Sequence, residues 1–253
     1  MKDLVSVIMP SYNTAEYIGE SIKSVFAQTY ENWELIIVDD CSTDSTDGIV
    51  AGFNSDKIRY FKNEKNSGAA VSRNKALREA KGRLIAFLDS DDIWEPLKLE
   101  KQIKFMKENG YAFSYTDHVE IDTKGNETGV KVTGPQKITH SGFINYCWPG
   151  CLTVMYDANV VGLVQVEDIR KNNDYAMWLK ISDKADCYLL NEFLAKYRRA
   201  RVGSVSNHGY LTLIKWHYLL FRKAEKENVL LSIVHTIRNL FFGVLKKFLY
   251  IKH

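Results

Sequence analysis

The sequence predicts an α/β protein: a mainly parallel sheet flanked by helices, followed by a helical C-terminal tail. Three observations predict it. Short apolar runs alternate with helix-periodic segments through the first ninety residues, the rhythm of right-handed strand–helix–strand crossovers. Several of those runs end abruptly in polar or acidic residues, and the carboxyl ends of parallel strands are where such sheets bind ligands. Between Val229 and Ile251 a long apolar stripe recurs at helical spacing.

The elements follow in order. Val5, Val7 and Ile8 lie in a short apolar run ending at Pro10, a buried strand. Ile18, Ile22, Val25 and Phe26 mark a helix within 15–28, and "WELIIVDD" is a second strand ending in Asp39 and Asp40. The Ser/Thr/Asp-rich "STDSTDGIV" supplies caps for a further helix. "KIRYFKN" is a third, less apolar strand. "NSG" is a turn, and "AAVSRNKALREAKG" a helix stopped by Gly82. Leu84–Leu88 is the fourth strand, leading into Asp89, Ser90, Asp91 and Asp92. Beyond Pro96 a helix runs to about Asn109, "YAFSYTDHVE" is a strand and "IDTKGNETG" a hairpin-like loop. Residues 137–150 show no clear pattern. "CLTVMY" is a strand, "NNDYAMWLKIS" begins a helix, and "CYLL" and "FLAKYRR" look like a closing pair of strands. This divides the chain into a catalytic unit at 1–205, with halves 1–110 and 111–205, and a basic tail at 206–253.

A chain of 253 residues with 45% hydrophobic and 26% charged residues builds one substantial core. Charge is unevenly placed. Residues 201–253 carry nine Lys/Arg against two acids, a net of +7, which leaves −4 for the first 200 residues out of +3 overall. An acidic body with a basic tail suggests that the tail meets something anionic, and no nucleic-acid partner is expected. Only Cys147 and Cys151 of the four cysteines lie close in sequence, so reduced thiols are expected rather than a zinc site. The N-terminus enters strand-like sequence at once, with no secretory signal pattern, which implies a cytoplasmic chain.

The acidic stretch after the fourth strand carries the chemistry. Three carboxylates side by side repel, by about 4 kcal/mol per pair at 4 Å and a protein-like dielectric. Such a turn is either fully solvated or holds a cation. Oxygen-rich sites of this kind suit Mg²⁺ or Mn²⁺, which take one or two carboxylates plus substrate phosphates. Asp40 is either a turn cap or an acceptor for a nucleobase N–H or a ribose hydroxyl. Gly68 and Arg73, in "NSGAAVSRN", are either a turn glycine and a surface arginine, or a helix start and a cation near a nucleotide's charge. "PSYNTAEY" has no glycine before Gly19, which excludes the dinucleotide fingerprint and the glycine-rich loop of a nucleotidyltransferase.

Together, "VSVIMPSYNTAEYIGESIKSVFAQTYENWELIIVDDCSTDST", "NSGAAVSRNKAL" and "GRLIAFLDSDDIWEP" resemble glycosyltransferase family 2 continuously over roughly the first hundred residues. The resemblance implies the GT-A fold, a nucleotide-sugar donor such as a UDP-sugar, Mn²⁺ or Mg²⁺, and transfer with inversion. It places Pro10 and Tyr12 in the nucleotide-facing loop, Asp40 at the base and Arg73 near the nucleotide. Asp89 and Asp91 become the DXD acids, with Asp91 the direct metal ligand. It makes Asp174, in "RKNNDYAMWLKI", the base that deprotonates the acceptor. Many members show two acids there; Asn173 stands in place of the first. Arg198 or Arg201, in "YRRARVGSVS", would close over the diphosphate. The QxxRW motif of processive synthases is absent, implying one sugar per encounter. The second half resembles members that extend lipid-diphosphate-linked saccharides for O-antigen, capsule or teichuronic acid, so the implied acceptor is a polyprenyl-diphosphate-linked saccharide. A non-catalytic nucleotide-sugar sensor on the same fold is the alternative.

The tail has two readings. Its stripe either packs on the body or on another subunit, leaving a homo-oligomer open, or lies in a membrane interface among anionic lipids. A spanning helix is disfavoured by Arg238 near its middle, which costs roughly 2.5–3.5 kcal/mol. The interfacial reading places the protein peripherally on the inner face of the plasma membrane.

Overall fold

The computed structural model describes residues 3–165, 169, 171–199 and 210–252. The first half runs β1 (Val5–Ser11), α1 (Ile18–Phe26), β2 (Trp33–Asp39), α2 (Thr46–Ala51), β3 (Ile58–Lys62), α3 (Ala69–Glu79) and β4 (Leu84–Phe87). It continues through β5 (Ile93–Trp94), α4 (Lys98–Asn109), β6 (Phe113–Ile121), β7 (Glu127–Val132), β8 (Lys137–Ile138) and α5 (His140–Asn145). Then come β9 (Met155–Asp157), α6 (Ala158–Val161), α7 (Asn173–Ser182), β10 (Cys187–Arg198), α8 (Tyr210–Leu219), α9 (Val229–Leu249) and β11 (Ile251–Lys252).

The described strands form one mixed sheet in the order β11-β7-β6-β9-β4-β1-β2-β3, with β10 joining β6, β5 and β8. The nucleotide half is parallel: Val5 of β1 lies opposite Trp33 of β2 and Leu84 of β4, and Leu35 opposite Ile58 of β3. All seven positions of β1 and of β2 are buried, as expected for strands covered on both faces. Along β2 the side chains alternate between two cores. Ile36 and Val38 pack with Phe87, Leu77 and Trp178; Leu35 and Ile37 pack with Ile22, Val25, Leu99 and Ile103. Each fully buried aliphatic contributes about 1.5–3 kcal/mol. This scaffold fixes the strand ends on which the site stands.

Three local expectations are corrected, and one undecided stretch is filled. Helix α3 ends at Glu79 with Ala80 extended, so Gly82 does not stop it. Gly82 instead allows close approach to β1, where a Cβ would lie 2.6 Å from the Ser6 nitrogen and 2.7 Å from the Leu4 oxygen. "CLTVMY" splits into a 3₁₀ turn at Cys151–Thr153 and the three-residue strand β9. "CYLL" and "FLAKYRR" are one strand, β10, parallel to β6 with register shifts around Phe193 that keep it continuous. The undecided stretch 137–150 contains β8 and α5, the latter capped by the Thr139 hydroxyl.

The C-terminal segment packs back on the body. After α8 a π-helical turn, Leu220–Ala224, buries Leu220, Phe221 and Ala224 in the core with Tyr175 and Phe143. Helix α9 is capped by Asn228, whose side chain accepts from the Leu231 N–H. Strand β11 then pairs with the edge strand β7. Helix α9 is built inside out: Ser232, Thr236 and Asn239 are buried, while Leu230, Ile237, Phe241 and Phe248 are 63–80% exposed. By length and composition it is the one described helix apolar enough to cross a membrane.

Candidate active site

The ends of β1, β2 and β4 meet α3 and α7 at one edge of the sheet. At the end of β2, Asp39 accepts from the Ser42 N–H and hydroxyl and from the Tyr60 hydroxyl, and Ser42 Oγ in turn accepts from the Asn13 N–H at 2.9 Å. That chain ties the first loop to the second. Pro10 is buried within β1, whereas Tyr12 is 43% exposed and offers an aromatic face at the rim.

Asp40 is buried and accepts from Asn63 Nδ2 (2.8 Å), the Ser67 N–H (2.9 Å) and the Gly68 N–H (2.6 Å). It therefore holds the 63–68 loop onto β2 and sets the start of α3. Gly68 precedes α3 at φ +94, a left-handed conformation that glycine adopts without cost.

Arg73 on α3 carries the connection onward. It is buried, and its Nη2 donates to Asp89 Oδ1 at 2.5 Å while its Nη1 donates to Asn173 Oδ1. Burial alone would depress its pKa, but the charges of Asp89, Cys151 and Asp174 outweigh that and raise it. One guanidinium thus joins the acidic turn after β4 to the first residue of α7.

The acidic turn is differentiated. Asp89 pairs with Arg73, and Asp92 is buried with Oδ1 accepting from the Arg198 N–H at 2.8 Å. Burial first, then the charges of Asp91 and Asp89, push the Asp92 carboxyl well above the usual range, against the pull of Arg198. Its Oδ2 is buried without a partner. Asp91 is part-exposed at the turn. The cluster is neither uniformly solvated nor uniformly exposed.

Arg198 is used differently from the expectation. Its Nε donates to the Asp91 carbonyl at 2.8 Å, Nη1 to the carbonyls of Asp122 and Thr123, and Nη2 to Glu20 Oε2 at 2.5 Å. The guanidinium also lies over the Tyr17 ring, 4.9 Å from its centroid. Every guanidinium nitrogen has a protein acceptor, so Arg198 braces the acidic turn instead of standing over an open cleft. Arg201 lies outside the described residues.

Asp174 sits in the first turn of α7 and does not cap it. The cap position belongs to Asn172, in left-handed conformation at φ 58. Asp174 is part-exposed, and its Oδ1 accepts from the adjacent Tyr175 N–H at 2.9 Å. The helix is anchored from below: Asn239 of α9 donates to the Tyr175 hydroxyl at 2.5 Å, which donates to the Phe143 carbonyl.

The sequence reading missed several residues that shape the site. Asn63 and Ser67 bind Asp40; the polar run before Gly68 was their signal. Lys98 is fully buried, donates to Gln102 Oε1 at 2.7 Å and lies 4.2 Å from the Trp94 ring centroid; burial lowers its pKa to about 7. His217 is buried and His235 pairs with Glu227.

Among the described residues no three His, Cys, Asp or Glu side chains converge into a self-sufficient metal cage. The donor set at the end of β4 suits a different arrangement. Asp89 and Asp91 lie close enough for their charges to raise the Asp92 carboxyl, whose Oδ2 is buried without a partner, and a carboxylate set of this kind fits a hard divalent cation completed by phosphate oxygens.

Residues 6–153 match the sequence model of glycosyl transferase family 2. The chain belongs to that family. It is 42% identical over 228 residues to TuaG of Bacillus subtilis, a glycosyltransferase named for teichuronic acid biosynthesis, covering 89% of this chain and 90% of the relative. It is 39% identical over 245 residues to Escherichia coli WfgD, a UDP-Glc:alpha-D-GlcNAc-diphosphoundecaprenol beta-1,3-glucosyltransferase, covering 96% and 94% of the two chains. The fold matches Staphylococcus aureus TarS in complex with UDP-GlcNAc, with TM-score 0.70 at 20% identity over 98% of this chain and 73% of that one. It also matches the Pyrobaculum calidifontis mannosyltransferase PcManGT with GDP-Man and Mn²⁺, with TM-score 0.67 at 19% identity over 94% and 70%. The enzyme is a glycosyltransferase of the GT-A architecture.

Proposed function

We propose that this glycosyltransferase moves one sugar, with inversion, from a UDP-sugar to a lipid-diphosphate-linked saccharide at the cytoplasmic membrane face. The observation that carries the reading is the Arg73 bridge, which brings the acidic turn and the base-bearing helix to one point. The WfgD likeness across nearly the full length of both chains supports the donor and acceptor classes.

In this reading Tyr12 faces the nucleobase, and Asp40 sets the loop that receives the nucleotide. The Asp174 carboxylate takes the proton from an acceptor hydroxyl. The freed oxygen attacks the anomeric carbon from the face opposite the leaving group. The bond from that carbon to the β-phosphate oxygen breaks, and the electron pair leaves with the diphosphate. Arg73 holds Asp89 and the start of α7 in register. A divalent cation at Asp91 and Asp89 would supply charge stabilisation for the departing diphosphate. The inside-out helix α9, with Lys247 on its outward side and Lys215, Lys223 and Lys226 exposed before it, suits a bilayer interface rich in anionic lipid. Its polar seam is committed to the body, which favours lying in the interface over spanning it.

Transfer from a UDP-sugar panel to a synthetic lipid-diphosphate GlcNAc acceptor tests the reading. Asp174→Asn should cut transfer by about 10²–10⁴-fold while UDP binding persists. Asp91→Asn should lose Mn²⁺-dependent UDP binding. Unimpaired transfer in either variant rejects the corresponding role.

A further inference from the structure

Strands β6 and β10 carry a group of side chains that the reaction above does not use. They run parallel, with Ala195 opposite His118 and Tyr197 opposite Glu120, and residues paired in this way point to one face. The contacts agree. The His118 and Tyr197 rings meet edge to face at 6.0 Å, and Arg199 Nη2 lies 2.9 Å from Glu120 Oε1. The same guanidinium lies 5.8 Å from the Tyr197 ring centroid. An imidazole, a phenol ring and a carboxylate–guanidinium pair thus share one face at the carboxyl ends of two parallel strands.

The sheet register fixes where that face stands. Ser114 of β6 and Ala86 of β4 both lie opposite Met155 of β9, and both strands run antiparallel to it. His118, four residues beyond Ser114, is therefore level with the turn that begins at Asp89, three residues beyond Ala86. Two strand spacings separate them, about 10 Å. Strand β9 does not fill the gap at that level. Gly150 and the 3₁₀ turn Cys151–Thr153 take its place, packed on β4, β6 and β10. On the far edge Arg198, next to Tyr197, donates its N–H to Asp92 and its Nε to the Asp91 carbonyl. The face therefore adjoins the acidic turn.

His118 stands at its centre. It is 8% exposed, and among the described residues neither ring nitrogen has a hydrogen-bond partner. Neither nitrogen is a fully buried orphan, so the ring's residual exposure includes both. Gly150 leaves room for the ring. Its backbone, at φ −77 and ψ 145, suits any residue, but a Cβ would lie 3.3 Å from His118 Cε1 and 3.1 Å from Leu152 Cδ2. Burial first, then the charges of Lys246 and Arg199, push the imidazole pKa down to about 3. A neutral imidazole offers one N–H and one lone pair, a match for a sugar hydroxyl, which both accepts and donates. An aromatic ring beside a few fixed polar groups is the usual lining of a small-molecule subsite.

We infer that His118 hydrogen-bonds a ring hydroxyl of the acceptor saccharide, with Tyr197 beside it, so that this face is the acceptor-sugar subsite. This rests on the saccharide acceptor proposed above. The spacing from the acidic turn leaves room for a pyranose between His118 and a donor held there.

The full-length enzyme and its His118→Phe and Gly150→Ala variants are assayed with the UDP-sugar selected from the panel above. The acceptors are GlcNAc on an alkyl diphosphate and analogues that each lack one ring hydroxyl other than the attacked one. His118→Phe keeps a ring and removes both nitrogens; it should raise the acceptor KM about tenfold, the scale of one lost hydrogen bond. Donor KM, and the slow hydrolysis of the UDP-sugar by water, should stay as in wild type. On one deoxy analogue the variant and wild type should have equal KM, which names the hydroxyl that His118 meets. Gly150→Ala crowds the imidazole without removing a side chain and should raise the acceptor KM in the same selective way. An unchanged acceptor KM in both variants overturns the inference. So does a parallel loss of donor hydrolysis, which would make His118 a support for the fold, or a KM gap that persists on every deoxy analogue. Wild-type enzyme that hydrolyses the donor yet transfers to none of these acceptors instead rejects the acceptor class proposed above, and this inference with it.

Discussion

Arg73 and Asp89 form a 2.5 Å ion pair across α3 and the turn after β4, and the same guanidinium donates to Asn173 at the start of α7. A planar fork with donors at fixed angles can hold both partners at once; an ammonium on a flexible stem cannot. Arg73→Lys should therefore keep Asp89 paired while releasing α7. The expected result is a kcat loss of about 10²-fold, the scale of a 1 Å misplacement of a reacting group. Thermal stability should change far less than in Arg73→Ala, which leaves Asp89 without its cation. Steady-state kinetics and melting curves on the two variants check this.

Asp92 and Arg198 form the second brace of the acidic turn. Asp92 supplies an acceptor for a strand N–H, yet its own charge is opposed by burial and by two neighbouring carboxylates. Asp92→Asn keeps an oxygen for the Arg198 N–H and removes that charge. Asp92→Ala removes the acceptor and should cost about 1–3 kcal/mol through an unsatisfied buried N–H. Because the folded-state pKa is raised, the stabilising contribution of the carboxyl is full at low pH and is lost as pH rises through that value. Asp92→Asn should thus be more stable than wild type at pH 8 and lose this advantage toward pH 4. Denaturant unfolding at the two pH values decides it.

The parallel half of the fold was legible because β1, β2 and β4 are short apolar runs that close on polar residues, Ser11, Asp39 and Asp40, and Asp89. Clustering of Asp89, Arg73 and the start of α7 also follows from residues that sequence could single out. What was not legible depends on long-range pairing. Nothing local in "CYLLNEFLAKYRR" shows that one strand continues through its polar centre, because the pairing that holds it is with the distant strand β6, from Cys187 opposite Phe113 to Arg198 opposite Ile121. Arg198 looked like a free basic-loop residue because its partners, Glu20, Asp122 and Thr123, are contributed by distant elements. The tail's stripe was visible, but an apolar stripe normally faces inward. Only the buried Ser232, Thr236 and Asn239 show that this one faces out.

Glu225, just past the π-helical turn, gives a pH effect of its own. Burial first, then the charges of Asp183 and Glu227, raise its pKa to about 7, partly offset by Lys180. Its Oε1 is buried without a partner. The folded state therefore favours the protonated acid. Its contribution is fully present below the unfolded-state value of about 4.3 and is lost as pH rises through 7. Glu225→Gln should match wild type in Tm near pH 4.5 and exceed it at pH 8. Melting curves across pH 4.5–8 check the sign, and a constant difference would place the effect elsewhere.

The outward face of α9 sets the last expectation. Leu230, Ile237, Phe241 and Phe248 lie on the solvent side of a helix whose polar seam is fixed to α7 through Asn239 and Tyr175. Leaving so much apolar surface in water is costly at about 25 cal/mol per Å², and a bilayer interface removes that cost without disturbing the seam. Replacing Phe241 and Phe248 by Ser should leave folding and transfer to a water-soluble acceptor unchanged, because neither side chain packs into the core. Flotation with anionic vesicles should fall sharply, and high salt should weaken what remains. Full flotation in the double variant, or a wild-type dimer that the same changes dissociate, would assign this face to a second copy of the chain instead of to lipid.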